Sequence, residues 1–340
     1  MDYAGEKIGL YNIIENIGSG SFGSVYRASN EALNNESAIK ILEVDNPDEI
    51  YALYSEAGIP HNCAHNNIIQ VNSATVETHN SKSLFIIDME IANQGSVEKQ
   101  LGDTWISVKN CIEIIKQVLF GLQHAHNNNT IHHDIKPANI LLHNGIPKIS
   151  DFGLATSIEN PNAELRWYFT HMAPKVVEGG IPTVQTDIYA LGMTFYRIIN
   201  NIANWQDFIS DINNLDDKIK KGLIIKEKKY EPYVPSKCYR IISKACNPDP
   251  TKRYCSASEM RNALERINFN IDWIKIDENR WQGFDSTQNE FELSLEITPR
   301  KTKVNFKRNN RRVVSDCRSF TNYKDAQKYL LEYISNSTIN

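Results

Sequence analysis

The stretch TIHHDIKPANILL, residues 130–142, gathers two histidines, an acid, a lysine and an amide within a few positions. His132 and His133 beside Asp134 could ligate a metal or act as an acid–base pair. A third reading groups Asp134 and Lys136 with Asn139, and with Asp151 twelve residues further on. Two acids and an amide that close in the chain can hold one or two Mg²⁺ ions and orient a nucleophilic hydroxyl. Taken singly, each acid is equally a solvated loop residue. Upstream, Gly18-Ser19-Gly20-Ser21-Phe22-Gly23-Ser24-Val25 is rich in glycine. Without Cβ atoms such a backbone can approach a polyphosphate and aim its N–H groups at the charge. The same residues would also serve an ordinary tight hairpin. They are not a dinucleotide fingerprint, because a strand pattern follows where that motif needs a helix. Lys40, in Ala38-Ile39-Lys40, and Glu56 complete the set. A lysine fixed by a carboxylate stays charged and can grip phosphate oxygens, although alone it reads as a surface lysine.

These groups need elements to place them. From Tyr11 to Leu42 the runs YNIIENI, SVYRAS and ESAIKIL, parted by Gly and Asn turns, read as strands. Asn46-Pro47-Asp48-Glu49 reads as a helix start, with an N-cap, a first-turn proline and a capping glutamate. Ile50, Leu53 and Ala57 give that helix its apolar side, and Gly58 with Pro60 ends it early. Two more strands are expected around Ile68–Thr78 and Leu84–Glu90. After Gly95 the period becomes helical. Residues 108–126 carry an amphipathic stripe, and IYALGMTFYRII (188–199) is apolar almost all round, as in a fully buried helix. Further helices are expected near 209–221, 237–246 and 256–267. A strand-rich part followed by a helical part gives a bilobal α+β fold.

In this order and spacing, GSGSFGSVY, AIK, HHDIKPAN and DFG resemble the signature set of the Hanks-type Ser/Thr protein kinase family. MAPK (172–175) stands where that family ends its activation segment, and TDIYALG (186–192) where its central helix begins. The resemblance covers roughly residues 8–268. It implies a β-rich N-lobe at about 8–91 and a helical C-lobe at about 92–268. It also implies ATP with Mg²⁺, for which Mn²⁺ can substitute, and a protein substrate. Gly18, Ser19, Gly20, Ser21, Phe22, Gly23 and Val25 would cover the phosphates, with Ala38 and Leu141 lining the pocket. Lys40, paired with Glu56, would hold the α- and β-phosphates. Met89 would gate the adenine pocket, and Glu90 to Ala92 would form the hinge. Asp134 would accept or orient the substrate hydroxyl, and Lys136 would neutralise the transferring phosphoryl. Asn139 and Asp151 would hold the metal. Lysine two positions after the catalytic acid points to a Ser/Thr acceptor.

Several positions depart from the family pattern. His133 replaces an arginine that pairs with a phosphate on the activation segment. Histidine lacks the bidentate fork, so activity is expected to depend weakly on phosphorylation there. His132 matches a position whose ring packs in the core, and the metal reading of the histidine pair falls. Lys175 replaces the glutamate that normally pairs with a buried arginine, here Arg253, which leaves Glu178 as a substitute partner. Tyr168 stands at the usual threonine place, and Pro60 implies a short helix and an unusual packing behind Phe152. The six phosphoryl-transfer positions are nevertheless intact, favouring an active enzyme over a nucleotide-binding pseudokinase scaffold.

Beyond Phe269 the pattern changes. FELSLEI (291–297) alternates, with Phe291, Leu293, Leu295 and Ile297 on one face, and KVNFKRNNRRVV reads as a hairpin turning at Asn309-Asn310. Asn322 then caps a helix with Ala326, Tyr329/Leu330 and Tyr333/Ile334 on its apolar side. Residues 269–340 are thus expected to form a small accessory module, an antiparallel sheet with one helix. The chain has a net charge of −4, and of its 37 Lys+Arg and 41 Asp+Glu this last part holds 12 and 10. From Glu296 to Arg318 inclusive there are eight basic and two acidic residues. That stretch reads as a solvated hairpin or a regulatory partner surface. A nucleic-acid sensor is the less favoured alternative. The six cysteines show no metal spacing. No leader or membrane-length apolar run is visible, so a cytoplasmic protein is expected. The composition suggests bacterial-type signalling or defence.

Overall fold

The computed structural model describes residues 2–20, 23–31, 34–44, 64–151, 170–227 and 230–340. It comprises two compact units, Met1–Val97 with Phe120–Pro161, and Glu98–Leu119 with Asn162–Asn340. The expected helix at 47–57, with Glu56 and Pro60, lies outside the described residues, as do Ser21, Phe22, Phe152 and Tyr168.

In the first unit, β1 (Lys7–Ile8), β2 (Tyr11–Gly20), β3 (Gly23–Asn30), β4 (Asn35–Val44), β5 (Val71–His79) and β6 (Lys82–Met89) form one antiparallel sheet. The order is β1-β2-β3-β4-β6-β5. β4 is central and buried on both faces, which is why ESAIKIL reads as a nearly continuous apolar run around Lys40. Ile39 and Ile41 pack with Tyr11, Tyr26 and Ile86 on one face. Leu42 and Val44 pack with Val71, Phe85 and Ile87 on the other. The strand expected from Ile68 begins at Val71, and Ile68 instead makes a single parallel bridge to Ile149. The stretch at 130–139 leads into a second hairpin, β7 (Ile140–His143) and β8 (Ile146–Ile149). Its turn is Asn144-Gly145, both at positive φ, as a two-residue turn between twisted strands requires.

The helical elements begin with α1 (Val97–Asp103) and α2 (Val108–Asn127). Near the end of α2, a Cβ at Gly121 would stand 2.7 Å from the Asn67 carbonyl oxygen, so only glycine allows that approach. In the second unit, α3 (Pro174–Val177) is followed by α4 (Val184–Ile199), buried from Asp187 onward as its apolar sequence predicts. In place of the one helix expected over 209–221, the chain forms α5 (Trp205–Ser210) and α6 (Leu215–Lys220), parted where Asn214 turns to φ +56°. α7 (Ile224–Glu227), α8 (Ser236–Ala245) and α9 (Ala257–Glu265) follow.

The C-terminal part is the expected antiparallel sheet with one helix, and it lies within the second unit. β9 (Ile271–Asp277), β10 (Arg280–Asp285), β11 (Glu290–Ile297), β12 (Thr302–Arg308) and β13 (Arg311–Arg312) run in the order β13-β12-β11-β10-β9. β14 (Arg318–Phe320) also pairs with β12. The turn at Asn309-Asn310 forms as expected, both residues having positive φ. α10 (Tyr323–Thr338) buries Ala326, Leu330 and Ile334, and the Asn322 side chain accepts from the Asp325 N–H at 2.9 Å. The apolar face of β11 fades along its length: Phe291 and Leu293 are buried, whereas Ile297 is 59% exposed. Trp281, on β10, meets Trp105 edge-on at 5.1 Å and Tyr233 at 5.5 Å. The sheet is therefore seated against loop residues that join helices of its own unit.

Candidate active site

All the described candidate residues fall in the first unit. Lys40 on β4 is 6% exposed, and its ammonium donates to Asp151 Oδ1 at 2.7 Å. Burial pushes the Asp151 carboxyl up, but the Lys40 charge and hydrogen bond outweigh it and hold the carboxyl below its ordinary range. The expected Lys40–Glu56 pair lies outside the described residues. Register puts Val25 opposite Lys40, Ala38 opposite Met89 and Gly18 opposite Val25, so β2, β3, β4 and β6 bring these residues side by side. Gly23 closes the glycine-rich hairpin at φ +135°, where a Cβ would meet the Ile41 carbonyl oxygen at 2.5 Å.

Asp134 is gripped from two sides. Lys136 Nζ lies 2.8 Å from its Oδ2, and Asn139 Nδ2 donates to Oδ2 at 2.8 Å and to the Asp134 carbonyl at 2.9 Å. Both bonds come from the Asn139 amide nitrogen, which turns the amide oxygen away from Asp134. Pro137 at the start of the short 3₁₀ turn Pro137–Asn139 fixes the backbone between the lysine and the amide. His132 is fully buried. Its Nδ1 accepts the Asp134 N–H at 3.2 Å, and Nε2 lies 2.8 Å from the Ser150 carbonyl oxygen. An acceptor at Nδ1 and a donor at Nε2 assign the neutral Nε2–H tautomer. The ring thus packs in the core, as expected, and also staples the loop of Asp134 to the residue before Asp151. Ser150 adds to this link, its N–H donating to the Asn139 carbonyl at 3.0 Å. Asp151 itself has φ +57°.

Where the chain leaves the sheet after Met89, the Glu90 N–H donates to the Gln70 carbonyl at 2.9 Å. Glu90 Oε1 accepts from the Gln70 N–H and from Lys148 Nζ, both at 2.8 Å. Leu141, on β7, is half-buried, as are Met89 and Ala92. Gln70, Lys148 and Ser150 are supporting residues that spacing does not reveal, because each acts on a partner distant in sequence. Ile17 is a further residue that sequence reasoning misses: it is 46% exposed beside Gly18, where the register of β2 slips. An isoleucine directly before a glycine run is its one sequence signal.

In the second unit, Arg253 corrects the expectation for Glu178. The guanidinium donates to the carbonyls of Asn247 (2.6 Å), Gln185 (2.9 Å) and Pro248 (3.1 Å) and stacks over Tyr189. Backbone oxygens take the place of a carboxylate. Lys175 and Glu178 are both exposed. Thr170 is fully buried and accepts from Trp205 Nε1 at 2.7 Å.

With this geometry in view, residues 11–264 match the protein kinase domain. The chain belongs to the protein kinase family. Its relatives are of the Hanks type. It is 28% identical over 329 residues to "Serine/threonine-protein kinase PrkC" of Bacillus subtilis, covering 89% of this chain and 50% of the relative. It is 34% identical over 199 residues to "Serine/threonine-protein kinase sid1" of Schizosaccharomyces pombe, covering 56% and 41%. The chain thus spans half or less of the length of these relatives. Among solved structures, the kinase domain of Mycobacterium tuberculosis PknI superposes with a TM-score of 0.56 at 18% identity, covering 77% of this chain and 97% of that one. That likeness is one of fold.

Proposed function

We propose that this kinase is an active serine/threonine phosphotransferase that moves the γ-phosphoryl of ATP to protein hydroxyls. One observation carries the reading: the Lys40–Asp151 pair and the Asp134–Lys136–Asn139 cluster converge within one unit, joined through His132 and Ser150. The oxygen donors of Asp151 and Asn139 are hard ligands, as Mg²⁺ or Mn²⁺ requires. Mg²⁺ is ordinarily held by one or two protein groups together with substrate phosphates, and these two residues fit that manner of binding. When bound, the cation neutralises charge on the phosphate chain.

The residues of the chain supply the rest. Lys40 grips phosphate oxygens, with Glu56 as its further partner, and the hairpin from Gly18 to Val25 covers the phosphates. Glu90 to Ala92 hydrogen-bond the base behind Met89, with Ala38 and Leu141 as pocket walls. Asp134, oriented by Asn139, takes the proton of the acceptor hydroxyl as its oxygen bonds to the γ-phosphorus and the bond to the β-phosphate oxygen breaks. Lys136 offsets the charge on the moving phosphoryl group. Lys136, two positions after the acid, supports Ser or Thr as acceptor. Residues 269–340 serve as a regulatory surface fixed to the helical unit, and the chain works in the cytoplasm; no described helix is long and apolar enough to cross a membrane.

His133 supports weak dependence on activation-segment phosphorylation, since an imidazole cannot make the two-pronged contact that arginine makes with a phosphate. Alanine at Thr156, Ser157 and Tyr168, with the buried Thr170 kept, should leave at least about a third of the wild-type kcat/KM, a loss of under about 1 kcal/mol. A drop of a hundredfold or more in a folded variant would remove this part of the reading.

A further inference from the structure

Base recognition needs a hinge whose peptide groups stand still, and the bonds around Glu90 show what holds it. Glu90 sits just past β6 and spends one carboxylate oxygen on two donors, the Gln70 N–H and Lys148 Nζ. Both side chains are largely covered, 11% exposed for Lys148 and 23% for Glu90. The residues that follow are sewn to the β7–β8 hairpin. The Gln94 N–H donates to the Leu142 carbonyl at 3.1 Å, and the Leu142 N–H to the Gly95 carbonyl at 2.8 Å. The Asn144 N–H donates to Asn93 Oδ1 at 3.0 Å. Lys148 therefore anchors the start of a segment whose end is already fixed by main-chain bonds. On its other side, β8 is held through the Ile149 N–H, which donates to the Asn67 carbonyl at 2.9 Å. Three residues beyond Lys148 stands Asp151.

We infer that Lys148 is a positioning residue for nucleotide binding: by pairing with Glu90 it fixes the hinge for the base and ties the hinge to the strand that delivers Asp151. The inference rests on the nucleotide-site reading above. A half-buried carboxylate that loses its cation turns toward water or drags its backbone with it. Displacements of about 1 Å suffice to spoil two peptide hydrogen bonds to a planar base. Lys148 would act through Glu90, without touching the nucleotide.

The test uses the full chain and two probes, adenosine and Mg²⁺–tripolyphosphate, with affinities measured by calorimetry. Lys148→Met should weaken adenosine about tenfold while tripolyphosphate stays within about twofold, and KM for ATP should rise with kcat nearly unchanged. Lys148→Arg should recover most of the loss. In Lys148→Met/Glu90→Gln the effect on adenosine should be no larger than in the worse single variant. Unchanged adenosine affinity in Lys148→Met, equal loss of both probes, or additive losses in the double variant would each overturn the inference. Should Lys148→Met fail to fold, Glu90→Gln and Lys148→Arg alone decide: adenosine must weaken in the first and hold in the second. Failure of the wild type to bind either probe would instead contradict the nucleotide-site reading.

Discussion

At φ +72° the backbone of His133 occupies the left-handed region, which costs a residue with a Cβ about 1 kcal/mol or more. Its neighbours His132 and Asp134 are locked by the bonds around Ser150 and Asn139, so the surroundings impose this conformation. His133→Gly should therefore equal or exceed the wild type in stability by up to about 1 kcal/mol, whereas β-branched His133→Val should lose about 1–2 kcal/mol. Chemical denaturation measures both; the reverse order would mean that the side chain, and not the backbone, sets the stability here. Legibility in the sequence also differs residue by residue. Lys40, Asp134, Lys136, Asn139 and Asp151 stand out only together, through the order and spacing of their motifs, and the fold brings them into one unit. Lys148 and Gln70 do not, since a lysine or glutamine in a strand looks the same whether or not a carboxylate lies across the fold. The expected role of Glu178 fails for a related reason: main-chain carbonyls can satisfy a buried guanidinium, and every residue carries one.

Among elements, periodicity identifies α2 and α10, alternation the first half of β11, and continuous apolar runs β4 and α4. The break between α5 and α6 is hidden because Ile209, Ile212 and Ile219 keep an apolar rhythm across it, while the turn depends on one asparagine at positive φ. The β9–β10 hairpin escapes individual notice, its turn Glu278-Asn279 being polar without glycine. The β10–β11 turn has a stronger local device. The Asp285 carboxylate accepts from Asn289 Nδ2 and the Thr287 hydroxyl, both at 2.8 Å, and from both their N–H groups at 2.9 Å. These bonds, from Asn289 first and then Thr287, hold its carboxyl down to about 2. A depressed acid stabilises the turn above its unfolded value of about 3.9 and loses that contribution as pH falls toward 2. An NMR titration should place the Asp285 midpoint near 2, and a midpoint near 4 would show that the turn does not hold the carboxylate.

For the whole molecule, the first unit carries every described candidate site residue, and the second joins the helical core to the C-terminal sheet. The aromatic contact of Trp105, Tyr233 and Trp281 seats that sheet against other residues of its unit. The basic stretch is also partly spent within the sheet: Lys303 pairs with Glu296 and Lys307 with Glu292, each at 2.7 Å. Trp281→Ala should cost about 3–5 kcal/mol and lower the melting temperature of the helical unit along with the sheet. If the sheet alone melted early and the helical unit kept its transition, the two would be independent.

The central claim is that this chain is a working phosphotransferase whose chemistry runs through Lys40 and Asp151. Radiolabel transfer from ATP to a Ser/Thr-containing protein tests it most directly, with wild type, Lys40→Ala and Asp151→Asn checked for native melting. The expected result is clear transfer by wild type, recovered as phosphoserine or phosphothreonine, and at least about a hundredfold loss in both variants. Persistent transfer in the two folded variants, or none from the wild type with Mg²⁺ and Mn²⁺ supplied, would contradict it.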